Sequence, residues 1–326
     1  MQDPRRAAVW SRYWQGGAAH ACPGSVDEHL GGALAAFWGH VGRGLGPSAQ
    51  VLEIGAGNGA VTRVLLEAGG PGGPFVDAVD LARLRPGWVA RLAPEESARV
   101  RFHEATPAES LPFEAGRFDL VAGQYAFEYM ERSAVFPELL RCSRPGSRLA
   151  LVLHHRDSVL VRVAAEERRH LERLTEAGGL LDAAAGLIPD LARARTPEGV
   201  RDLQRDAAAE ARRRYYNELQ ARLEADSSIS PAPDVLAEAA AGSAAVLQTA
   251  ARDGEAAARG QLQAQREAYQ DAKVRVDELL ACALDEASLR ELVVELLAHG
   301  YGDAAIGTVE EGGRLMGWTL AAIRAA

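Results

Sequence analysis

The run Val51-Leu52-Glu53-Ile54 is short and almost wholly apolar, which predicts one buried strand. Gly55, Gly57 and Gly59 follow it, and then Val61, Val64, Leu65 and Ala68 recur at helical spacing. The pattern predicts a strand, a tight turn and a helix. Further strands are predicted at 75–80, 100–103, in the second half of 111–122, and at 148–153, the last ending in His154-His155. Helical patterns lie between them. One covers 27–41, with Leu30, Leu34, Phe37 and Trp38 on one face. Another covers 81–92, interrupted by Pro86-Gly87, and a short one covers 137–142 before a turn at Pro145-Gly146. Strands alternating with helices at this spacing predict a parallel sheet.

The pattern changes from about residue 156 to 285. Ala, Arg, Glu and Gln dominate and β-branched residues are few, which favours helix. Thr196-Pro197-Glu198 predicts a helix start, running to about 225, and 227–233 breaks it. A second helical tract is expected to reach about 283, with weak points at Gly254 and Gly260. The apolar spacing is too irregular for a heptad coiled coil. Residues 286–298 form an amphipathic helical pattern, and 304–310 with 314–323 predict a closing hairpin across Glu311-Gly312-Gly313.

Composition narrows the function classes. The 326 residues are 48% hydrophobic, so a packed core is expected. A net charge of −9 argues against a dedicated nucleic-acid binder, which needs concentrated Lys and Arg. Cys22, Cys142 and Cys282 are far apart and suggest neither a zinc site nor a disulfide framework, in keeping with a cytoplasmic protein. Neither a signal core nor a membrane-spanning run is expected. Lys273 is the one lysine among 36 Lys and Arg, a bias expected of a GC-rich, bacterial genome.

Glycines let a backbone turn sharply and approach a ligand, and the following helix adds free N–H groups. Two cofactor classes use such a corner. Gly55-x-Gly57-x-x-Ala60 satisfies the dinucleotide pattern, with Asp80 at the right distance for a ribose. Glu53 before the first glycine tips the balance. The E-x-G-x-G-x-G stretch Glu53 to Gly59 resembles motif I of the class I S-adenosylmethionine (SAM)-dependent methyltransferases, and 111–122 resembles that family's L-P-F-x-x-x-x-F-D-x-V signature. The resemblance covers about half the chain and is absent from the helical block. It implies a Rossmann-like α/β sheet in strand order 3-2-1-4-5-7-6, with strand 7 antiparallel and the helical block inserted after strand 5. The expected organisation is an N-terminal flap or packing segment (1–48), a SAM-binding domain (49–155 with 286–326) and a helical insertion (156–285).

Ligands of such a sheet bind at the carboxyl ends of its strands. The resemblance therefore implies SAM contacts from Glu53, Gly55, Ala56, Gly57 and Gly59, ribose recognition by Asp80 with Leu81 beside it, and Glu104 and Ala105 against the adenine. Thr106-Pro107 adds length before Leu111-Pro112, which leaves that last register open by two residues. Gln124 and Tyr125 end strand 4, where the family brings the methyl group. Gly123-Gln124-Tyr125-Ala126 lacks the N/D-P-P-Y/F of base amino-methylases, and no Pro-Cys pair is present there. Proton removal from the acceptor suits histidine, so His154 and His155 are catalytic candidates with Tyr125. His20, Glu128 and Tyr129 are further candidates. The expected reaction is methyl transfer to an oxygen or nitrogen of a small molecule. The alternatives are a protein or RNA methyltransferase docking through its helical insertion, and a methyltransferase-like assembly protein. The insertion is expected to cap the substrate pocket and to support a homodimer.

Overall fold

A computed structural model describes residues 4–18, 30–70 and 72–325. His20, a further catalytic candidate above, and Cys22 lie outside the described residues. The chain divides into two compact units, Met1–Val161 with Glu278–Ala326, and Arg162–Asp277.

The first unit is built on a seven-stranded sheet. Its elements are α1 (Pro4–Gln15), α2 (Gly32–Arg43), β1 (Gln50–Ile54), α3 (Ala60–Gly69), β2 (Phe75–Val79), α4 (Pro94–Ser97), β3 (Val100–His103), β4 (Phe118–Gln124), α5 (Arg132–Cys142) and β5 (Ser143–Leu153). After the helical unit come α12 (Glu286–Ala298), β6 (Tyr301–Glu311) and β7 (Arg314–Arg324). The strand order is β3-β2-β1-β4-β5-β7-β6. β1 to β5 pair in parallel, whereas β7 runs antiparallel to β5 and to β6. This is the order expected from sequence, with strand 7 reversed as expected.

Successive side chains of a strand face opposite sides, so a sheet buried on both faces reads as a continuous apolar run. Leu149, Leu151 and Leu153 join Leu52 and Ile54 in a core with Val135, Phe136 and Leu139 of α5 and Leu289, Leu292 and Leu296 of α12. Ala150, Val152 and Val51 face the other side, against Leu65 of α3 and Leu34 and Trp38 of α2.

Some elements differ from expectation. The 81–92 helix is absent except for a 3-10 turn at Val89–Arg91, because Arg85 N and Trp88 Nε1 are drawn instead to Asn58. Pro145-Gly146 lies inside β5, where a register shift against β4 absorbs it. Pro137 sits within α5, which starts at Arg132.

The second unit is helical. It holds α6 (Val159–Thr175) from Arg162 on, α7 (Leu180–Arg193), α8 (Pro197–Leu203), α9 (Ala207–Ser227), α10 (Pro233–Asp253) and α11 (Glu255–Cys282) as far as Asp277. The expected 196–225 helix is two, because Asp206 accepts from Ala208 N and Ala209 N at 3.0 Å and starts α9 afresh. Gly254 ends α10 with φ 99°, whereas Gly260 lies within α11. Inside the unit, Arg212 grips Asp190 with two nitrogens at 2.8 and 2.9 Å. The roots of the helical stretch belong to the sheet unit. Leu284 N donates to His154 O and Arg156 N to Leu284 O, each at 2.9 Å, so the chain leaves and returns at one point past β5.

Candidate functional site

The carboxyl ends of the parallel strands share one edge, and a cavity opens there. β1 ends in the glycine turn. Gly55, Gly57 and Gly59 have φ of 61°, 52° and 81°, a region that residues with a Cβ avoid. Space demands glycine as well. A Cβ on Gly57 would come within 2.5 Å of the Trp14 ring, and one on Gly55 within 2.3 Å of Ala126 Cβ. Ala56 and Gly55 line the cavity, and Gly57 and Gly59 shape the turn behind it.

Two buried acids stand at the base of this turn, and both line the cavity. Asp80 accepts from Gly57 N through Oδ2 and from Ala82 N through Oδ1, both at 2.8 Å. Burial raises its pKa, and those N–H groups and the Arg6 charge oppose the rise. Glu53 accepts from the Thr62 hydroxyl at the start of α3. Burial pushes its carboxyl up to about 8, against the two hydrogen bonds from Thr62. Leu81 follows Asp80 in the lining.

The structure brings most of the expected cofactor residues together, with one difference after β3. Thr106, Pro107, Ala108 and Glu109 line the cavity in place of Glu104 and Ala105. Glu104 instead accepts from Leu84 N at 3.0 Å, and Ala105 turns the chain at φ 49°. Thr106 N donates to Asp80 O, which carries the next residues toward the cavity. Gln124 lines the cavity, and its Oε1 accepts from Trp38 Nε1 at 2.7 Å.

The end beyond β4 and β5 is aromatic. Tyr125, Ala126, Tyr129 and Met130 line it. Tyr125 has φ 52°, a costly conformation for a bulky residue. Its hydroxyl donates to Met316 O at 3.1 Å, and its ring lies 4.3 Å from that of His154. Gly317 allows this approach, since a Cβ there would meet the Tyr125 ring at 3.2 Å. His154 and His155 diverge. His154 Nδ1 lies 2.7 Å from Glu128 Oε1, behind the tyrosines. His155 stacks on Trp318 at 4.0 Å, and its Nδ1 accepts from Asp157 N, so it faces β7 and does not line the cavity.

α1 walls the cavity with Arg6, Ala7, Trp10 and Trp14. Asn58 Nδ2 donates to Trp14 O and Ala18 O, and Arg83 N donates to Ser11 Oγ, which pins the helix to the glycine turn. Trp10 Nε1 donates to Glu278 at 3.0 Å, and Arg6 pairs with the same carboxylate at 3.3 Å. The sequence reading passed over Arg6, Asn58, Thr62 and Glu278. Asn58 was open to discovery as the one polar side chain in the glycine turn; the others carry no local signal.

Residues 51–146 match the family described as Methyltransferase domain. No curated protein matches in sequence. Among solved structures, this chain is similar to a geranyl diphosphate methyltransferase in complex with GPP and sinefungin, at 21% identity over 46% of this chain and 67% of that one, with a TM-score of 0.37. It is similar to geranyl diphosphate C-methyltransferase from Streptomyces coelicolor A3(2), at 19% identity over 47% and 66%, TM-score 0.37. It is also similar to 1,6-didemethyltoxoflavin-N1-methyltransferase from Burkholderia thailandensis, at 26% identity over 48% and 66%, TM-score 0.36. This chain thus spans about two thirds of the length of each. The match to the methyltransferase-domain family thus covers the stretch from β1 into β5, and the seven-stranded order β3-β2-β1-β4-β5-β7-β6 is the one that the class I resemblance implies.

Proposed function

We propose that this protein is a SAM-dependent methyltransferase that acts on an oxygen or nitrogen atom of a small-molecule acceptor. The carrying observation is the turn after β1, where three glycines stand at positive φ, Gly57 N donates to Asp80, and Gly55 and Asp80 line one cavity. The residues present fit SAM. Asp80 spends one acceptor position per oxygen on Ala82 and Gly57, and an ionised carboxylate has further lone pairs for ribose hydroxyls. Three carboxyl groups line the cavity, Glu53, Asp80 and Glu109, against the one arginine Arg6, an acidic lining that favours a cofactor with positive charges over one with a pyrophosphate. When bound, SAM supplies a methyl group on a cationic sulfur, with a neutral thioether as leaving group.

The chain's own part is to position the acceptor and take its proton. Trp10, Tyr125, Tyr129 and Met130 offer an apolar wall suited to a small organic molecule. A net charge of −9 disfavours RNA.

Calorimetric titration with SAM and, separately, NADH tests the cofactor. Saturable SAM binding with no NADH response is expected. NADH binding without a SAM response would overturn the reading.

A further inference from the structure

We infer that Glu128 and His154 form the proton-accepting couple of the acceptor site, so that the methylated atom is one that carries a proton, in a hydroxyl or amino group. The inference rests on the methyltransferase reading above. Glu128 lies in the 3-10 turn Phe127–Tyr129 just after β4, and His154 is the first residue past β5. Adjacent parallel strands therefore deliver both to the ligand edge.

Glu128 Oε1 accepts from His154 N and lies 2.7 Å from His154 Nδ1. With a carboxylate oxygen as partner, Nδ1 carries the ring proton and Nε2 keeps its lone pair. Among the described residues, Nε2 has no hydrogen-bond partner. Tyr125 lies against the imidazole at 4.3 Å and Tyr129 meets it edge-on at 5.8 Å. Both tyrosines line the cavity, so the imidazole stands directly behind its wall.

Capping the end of β5 would explain Oε1 alone. Glu128 Oε2 is buried with no partner among the described residues, in a side chain with no exposure. A buried acceptor left unmade is costly, a cost that capping the strand does not require. The titratable and charged groups of the same cluster are Cys282, Glu278, Arg6, Arg132 and the Tyr129 phenol. Arg6 is bound to Glu278, and burial pushes the Cys282 thiol up to about 11. His154 Nε2, without a hydrogen-bond partner among the described residues, is therefore the proton acceptor of this cluster. In the step itself, a lone pair of the acceptor atom forms the bond to the methyl carbon. The carbon–sulfur pair stays on sulfur, and the acceptor's proton passes to Nε2. Glu128 is a positioning residue that fixes the tautomer and offsets the charge.

The test uses the full chain with 15N-labelled histidine. His154, assigned by its loss in His154→Asn, should give the neutral Nδ1–H tautomer at pH 7.5, and Glu128→Gln should shift it toward Nε2–H. An Nε2–H tautomer in the unaltered protein overturns the proposal, whether or not SAM binds. Catechol and 2-aminophenol serve as methyl-acceptor probes alongside. Where a probe is methylated, His154→Asn should lower kcat at least 100-fold and abolish the rising limb of the pH profile, with SAM affinity within twofold. Asn keeps a donor toward Glu128, so a merely structural role would be rescued, and wild-type turnover in that variant overturns the proposal. Failure of SAM to bind at all counts against the methyltransferase reading and leaves the tautomer result standing.

Discussion

At the end of the cavity beside β1 and β2, where we propose that the cofactor binds, the backbone makes the main contacts. Gly57 N and Ala82 N both reach Asp80, and three positive φ angles set the curve of the turn. At the acceptor end, side chains from distant segments meet one another. Glu128 holds His154, Tyr125 stacks on it, and Glu278 gathers Arg6 and Trp10 of α1. The difference teaches where tolerance lies. A backbone site fails when any Cβ intrudes, whereas a side-chain site can be retuned residue by residue.

Gly57→Val should break the cofactor end outright. The new Cβ would sit 2.5 Å from the Trp14 ring, at a φ of 52° that a β-branched residue resists. We expect more than about 100-fold weaker SAM binding by calorimetry, roughly 3 kcal/mol or more, with the far-ultraviolet circular dichroism retained. Tyr125→Phe, at the other end, should leave SAM affinity within about threefold. A larger loss from Tyr125→Phe than from Gly57→Val would erase the distinction between the two ends.

The same distinction explains what the sequence could say. Glycines at fixed spacing after an apolar run have few other uses, so the turn and Asp80 are readable from local pattern, whereas the strand order comes from the family resemblance that the turn carries. The two-residue register after β3 was not, because it depends on Thr106 N finding Asp80 O across the sheet edge. Nor could pattern separate His154 from His155. Adjacent residues on a strand end face opposite ways, and Glu128 and Trp318 decide which goes where. The α9 start was missed because a single Asp206 cap outweighs continuous helix propensity around it.

A smaller effect is expected at Asp80. Asp80→Asn removes the charge and sets an amide donor against one of the two N–H groups of Gly57 and Ala82, and hydrogen bonds to a charged group contribute about 1.5–3 kcal/mol. SAM binding should weaken by roughly 10- to 100-fold. Asp80→Ala should also lower the melting temperature, because Gly57 N and Ala82 N lose their acceptor inside a buried turn. A melting temperature unchanged by Asp80→Ala would show that the turn holds its shape without the carboxylate.

Glu53 gives the subtlest test, because its charge is conditional. Its folded pKa of about 8 lies above the unfolded value of 4.5, so the fold binds the proton more tightly than the unfolded chain does. Stability attributable to this group is complete below about pH 4.5 and is lost as pH rises toward 8, because unfolding then releases a proton. Glu53→Gln removes that dependence. Near pH 8 it should gain about 4 kcal/mol over the unaltered chain, the gain vanishing near pH 4.5. Urea unfolding across pH 5–8 reads this directly, and parallel stability curves would show that Glu53 is already ionised in the fold. SAM carries an ammonium on its methionine part, which the turn after β1 is expected to approach. An ammonium near Glu53 would draw the carboxyl into its ionised form, so binding should release a proton and tighten as pH rises toward 8. Calorimetry in two buffers of different ionisation heat should show proton release for the unaltered chain and none for Glu53→Gln. Equal release in both would place the proton elsewhere, with Asp80 next in line, since burial raises its pKa too.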